Sequence, residues 1–125
     1  MVTALWVGVG GFFGAVSRYL VSGWARDVDE VLPWGTFAVN ISGSLLLGYL
    51  VGAFGVRSGL SPDIRIALTV GFIGAYTTFS TLMLETFELG ETRAAMFATL
   101  NLVGSIALGL LAVWVGLTIG RSIGR

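Results

Sequence analysis

Charged residues divide the chain into long uncharged runs at 1–17, 31–56, 66–84 and 94–120, the first continuing past Arg18 through 19–25. At about 1.5 Å of rise per helical residue, each run is long enough to cross a hydrocarbon core about 30 Å thick. The pattern predicts an all-α membrane protein with four transmembrane helices, at about 4–25, 35–55, 63–89 and 92–120. They form a single integral membrane domain over 1–125, with both termini on the same side.

The third run departs from a plain lipid-facing helix. Gly71 and Gly74 are followed by Thr77, Thr78, Ser80 and Thr81, four hydroxyl residues in five positions. Glycine and threonine are poor helix formers, and hydroxyls divert backbone hydrogen bonds to their own side chains. Within a bilayer, backbone released from helical pairing is tolerated only inside protein or against a water-filled cavity. The stretch therefore reads as a helix broken mid-membrane to serve an ion site. The alternative is a continuous helix that packs closely through its small residues.

Polar residues on two other helices point the same way. Thr36, Asn40 and Ser44 lie at i, i+4 and i+8 on one face of the second helix, and Phe97, Asn101 and Ser105 repeat that spacing on the fourth. The Asn40 carboxamide offers two donors, which suits either an anion or an interhelical hydrogen bond. In the first helix Gly10 and Gly14 form a GxxxG motif for close helix approach. Arg18 follows near that helix's end, where it either snorkels to the headgroups or draws anions toward a pore mouth. Gly43, Gly48 and Gly52 give the second helix a small-residue side. The loop 26–30 is acidic, Pro33-Trp34-Gly35 marks a turn, and Ser61-Pro62-Asp63 opens the third helix. Glu85 either marks the membrane edge or faces the protein interior.

Composition narrows the function. Hydrophobic residues make up 55%, charged residues 11%, and mean hydropathy is +0.90, all typical of a membrane protein. The first run lacks a basic start and reads as a retained helix, not a cleavable signal. With no Cys and no His there is no thiolate or imidazole ligand and no histidine proton shuttle. There is no phosphate-binding GxxxxGK[ST] loop and no paired carboxylate at membrane depth, which disfavours ATP-driven transport and enzymatic chemistry. Net charge is zero without a basic patch, so no nucleic-acid partner is expected. Passive conduction is the natural remainder. Arg57, Arg65, Arg121 and Arg125 on the side of the termini stand against Arg26 and Arg93, with Arg18 near the latter. So weak a bias permits insertion either way up and an antiparallel dimer, the alternative being simple insertion with the N-terminus inside.

Three patterns carry a resemblance over essentially the whole chain: Gly10-Gly11-x-x-Gly14-Ala15-x-x-Arg18-Tyr19, Gly35-Thr36-x-x-Val39-Asn40-x-x-Gly43, and Gly71-Phe72-x-Gly74-x-x-Thr77-Thr78-Phe79-Ser80-Thr81. Together they resemble the CrcB/Fluc family of small bacterial fluoride channels. The resemblance implies passive, fluoride-selective export through the inner (plasma) membrane by an antiparallel, dual-topology homodimer with a central sodium ion. It places Asn40 and the ring edge of Phe79 against fluoride. Ser80, Thr81 and Ser105 line or support the polar track, and Asn101 and Phe97 lie further along it; Arg18 either stands at the pore entrance or is structural. It gives the sodium ion to the backbone carbonyls of Gly74 and Thr77. Two positions depart from the family pattern: Leu82, where a second Phe is usual, and Ala75, where Gly is frequent. Either change also suits one half of a heterodimeric fluoride channel. A different class, a proton-coupled small multidrug-resistance exporter, shares the helix count, but it needs a membrane-embedded carboxylate that the first helix lacks.

Overall fold

A computed structural model describes residues 1–26, 32–55, 60–92 and 95–124. The acidic loop 27–30 and the topology-setting Arg57, Arg93 and Arg125 lie outside the described residues. Helix α1 spans Val2–Arg26 and α2 spans Trp34–Ala53. A third span opens with α3 (Pro62–Ile66), continues as a π-helical segment (Ala67–Ile73), and closes its first half with α4 (Gly74–Tyr76). Beyond Thr77 and Thr78 it resumes as α5 (Phe79–Thr92), and α6 covers Ala95–Ile123. Among the described residues there is no strand. Four spans, Val2–Ala25, Trp34–Ala53, Pro62–Thr92 and Ala95–Ile123, are long and apolar enough to cross a membrane.

The start of the third span follows from its sequence. Ser61 is the N-cap and accepts from the Ile64 amide at 3.4 Å, Pro62 occupies the first turn without a donor to lose, and Asp63 complements the helix N-terminus. Asp63 also accepts from the Thr3 hydroxyl at 2.9 Å, tying this end to α1.

Backbone contact holds the bundle together. Helix α2 packs along α6, α1 packs against the π segment, and α5 packs against α6. Because lipid tails are as apolar as Leu, such pairing relies on close van der Waals fit, which small residues allow. A methyl group on Gly14 would strike the Phe72 carbonyl, and one on Gly10 the carbonyl of Ala67. The GxxxG motif thus meets the π segment directly. Outward, Phe87, Leu110 and Trp114 are each more than 60% exposed, an apolar surface suited to lipid.

This packing separates glycines that look alike in sequence. Gly14→Ala is expected to destabilise the protein by at least about 1–3 kcal/mol, because backbone must move to admit the methyl. Gly23→Ala, whose methyl meets nothing within 4 Å, should be neutral or stabilise by up to about 1 kcal/mol. Thermal unfolding of the two variants in detergent checks the order.

Candidate ion pathway

The site forms where the third span stops being helical. Thr77 turns its side chain back, and both its hydroxyl and its amide donate to the Ile73 carbonyl at 3.0 Å. Its backbone is extended, with φ −86° and ψ 161°. The next amide, that of Thr78, donates to Asn40 Oδ1 at 2.8 Å. A continuous helix would give that proton to the carbonyl of Gly74, which here loses its usual donor. The Thr78 hydroxyl then caps α5, accepting from the Thr81 amide at 3.3 Å and pairing with the Thr81 hydroxyl at 3.0 Å. Ser80 lies 3.5 Å from the same hydroxyl.

Asn40 clamps this interruption from α2. Besides accepting from the Thr78 amide, its Nδ2 donates to the Thr78 carbonyl at 3.0 Å. The side chain satisfies the backbone as a neighbouring strand would, and one N–H of the carboxamide remains for another acceptor. Beside it, Thr77, Thr78, Phe79 and Ser105 help line a groove of about 260 Å³. Ser105 is buried, and among the described residues its hydroxyl has no hydrogen-bond partner. A buried orphan hydroxyl costs free energy unless something fills its place, so the groove is prepared for a polar occupant. Phe79 is 73% exposed, with its ring standing out from the chain. Leu82, one turn on, is buried in the groove wall.

The remaining sequence-derived candidates fall around this centre. Arg18 is half-buried and turns inward, its Nη1 lying 3.5 Å from the Thr77 carbonyl. Gly74 is exposed, with open space where a side chain would stand. Asn101 lies apart from the groove: it donates to the Thr86 hydroxyl at 2.9 Å and shares a neighbouring, mostly apolar groove with Phe97 and Trp34. The stripe on the fourth helix therefore serves two grooves.

Glu85 is turned toward α2. It is half-buried and accepts from the buried Thr36 hydroxyl at 2.7 Å, which links α2 to α5. The signal was available in the spacing, since Thr78, Thr81 and Glu85 share one helical face at i, i+3 and i+7.

No cluster of His, Cys, Asp or Glu side chains able to hold a metal occurs among the described residues. What the interruption offers a cation is backbone oxygen. The Gly74 carbonyl has lost the Thr78 amide, and among the described residues the Thr77 carbonyl has only the long contact from Arg18. Hard, neutral oxygens freed from an unwound helix suit an alkali cation.

The family model described as CrcB-like protein, Camphor Resistance (CrcB), matches residues 5–117. The chain is 49% identical over 119 residues to fluoride-specific ion channel FluC 1 of Symbiobacterium thermophilum, covering 91% of this chain and 94% of that one. It is 43% identical over 125 residues to the fluoride-specific ion channel FluC of Geotalea daltonii, covering 98% and 100% of the two chains. The FluC of Acidobacterium capsulatum is 42% identical over 120 residues, with 95% and 96% covered.

Proposed function

This chain belongs to the CrcB-like family, and we propose that it does what its named relatives do: it is a fluoride-specific ion channel. It passes fluoride passively across the cell's inner membrane and so relieves fluoride toxicity. The observation that carries the reading is the convergence in one groove of the spare Asn40 N–H, the Phe79 ring and the orphan Ser105 hydroxyl.

Fluoride is small and strongly hydrated, so a pore must replace its water with donors in a narrow path. Asn40 and Ser105 supply neutral donors, which solvate the ion without holding it as a fixed cation would. Phe79 adds the electropositive edge of its ring. Ser80 and Thr81 support the Thr78 hydroxyl that caps α5, and Asn101 with Phe97 belongs to the outer part of the track. Arg18, next to the interruption, raises the local anion concentration.

The assembly in this reading is an antiparallel, dual-topology homodimer, with the interruption at mid-membrane depth. The balanced arginines support it, as does the Phe79 ring, which its own chain leaves largely uncovered. Sodium at the dimer centre would be held by the carbonyls of Gly74 and Thr77, where it would supply positive charge to balance their dipoles. In one heterodimeric variant of this reading, Leu82 and Ala75 mark a chain that pairs with a second gene product.

Efflux from liposomes tests the function directly. Purified protein with valinomycin is expected to release fluoride rapidly and retain chloride, as read by parallel electrodes. Retention of fluoride by well-folded protein would refute a channel formed by this chain alone. Exhaustive replacement of sodium by potassium during purification should dissociate or inactivate the dimer; indifference to it removes the ion from the reading.

A further inference from the structure

Helix α2 grips the interruption at a second point. Tyr76, the last residue of α4, is buried and stacks on Phe72, with ring centroids 5.8 Å apart and planes 11° from parallel. Its hydroxyl lies 2.9 Å from Ser42 Oγ. Ser42 spends its own proton on the Ala38 carbonyl, at 2.6 Å, so the phenol is the donor of the pair. The chain of bonds runs from Tyr76 through Ser42 to the α2 backbone. Asn40 holds the residue after Thr77, and Ser42 holds the residue before it. Between them, Gly43 faces Thr77 so closely that a methyl group there would strike the threonine's own.

We propose that Ser42 is a positioning residue for fluoride conduction, which rests on the channel reading above. By accepting the Tyr76 proton it lets the phenol stay where stacking on Phe72 puts it, and so keeps the end of α4 in place. It thereby fixes the direction of the Gly74 and Thr77 carbonyls and the point from which Phe79 departs. The two members of the pair are not equivalent. Ser42 is exposed and its bond to the phenol is half-buried. Ser42→Ala takes away the acceptor of a phenol proton on the protein's apolar surface, and the phenol must turn to find another, carrying the adjoining backbone with it. Tyr76→Phe removes that proton, keeps the ring on Phe72, and leaves Ser42 bonded to Ala38. The second substitution therefore rescues the first. A side chain that merely fills space gives no such rescue, since each change removes a single oxygen.

The test is fluoride release from liposomes carrying fewer than one dimer each. Under that condition the released fraction counts active channels, and the release rate reports the throughput of each. Ser42→Ala is expected to slow the rate about fivefold with the released fraction unchanged. Tyr76→Phe and the double variant should both stay within about twofold of wild type. The inference is overturned by a wild-type rate in Ser42→Ala, by a double variant as slow as Ser42→Ala, or by a loss confined to the released fraction. Should Ser42→Ala not fold, Ser42→Cys, a weaker acceptor of similar size, takes its place under the same criteria. Absence of release by the wild type itself would instead remove the channel reading, and this inference with it.

Discussion

Replacing Asn40 with aspartate is expected to cut fluoride flux by at least about 100-fold while leaving the protein folded. The carboxylate keeps the acceptor that holds the Thr78 amide, so the start of α5 retains its anchor. It loses the N–H that donates to the Thr78 carbonyl and the spare N–H beside it. It also places a full negative charge in the groove lined by Phe79 and Ser105. At about 5 Å and an effective dielectric constant of about 20, like-charge repulsion on a passing anion costs roughly 3 kcal/mol. Each 1.4 kcal/mol or so of barrier is about a factor of ten in rate, and the lost donors add to the barrier. Efflux measured beside size-exclusion elution separates the effect from misfolding. Undiminished flux in a folded variant would take Asn40 out of the pathway.

The same residue shows how far the sequence could be read. Its carboxamide admitted two partners, an anion or another helix, and spacing alone could not choose between them. The structure gives it a backbone partner through both of its polar atoms, with a donor to spare, so the two readings are compatible. The four apolar spans were legible because charge is excluded from hydrocarbon, and that exclusion is written residue by residue.

The π segment at Ala67–Ile73 was not legible. Widening a turn changes register without changing composition, and Ala67, Leu68, Val70 and Ile73 fill either kind of helix equally well. The choice belongs to α1, whose glycines let the carbonyls of Ala67 and Phe72 approach. Tertiary partners hid the rest in a similar way. The i, i+4 stripe on α6 is real, yet Asn101 turns to Thr86 on α5 and Ser105 to the groove beside α2. The Thr78, Thr81, Glu85 spacing sets Glu85 on the polar face of α5, but it cannot name Thr36, far away in sequence, as the donor to it.

Phe79→Ile is expected to slow fluoride release about tenfold without unfolding the protein. The position is the first of α5, and the side chain is largely exposed from its own chain, so little packing depends on it. The helix start is held by Thr78 and Asn40 instead. What isoleucine removes is the polarised ring edge, an interaction worth about 0.5–1.5 kcal/mol beyond area burial in aromatic pairs, and the upper end of that range corresponds to about a tenfold change in rate. No second ring compensates within the groove wall of this chain, because the residue one turn later is Leu82. Its aliphatic surface shapes the path but offers an anion no positive edge. The full aromatic contribution of this chain to the groove therefore rests on Phe79, which makes the substitution a clean measure of it. A wild-type release rate in the isoleucine variant would mean that hydroxyl and amide donors alone carry the ion past this point.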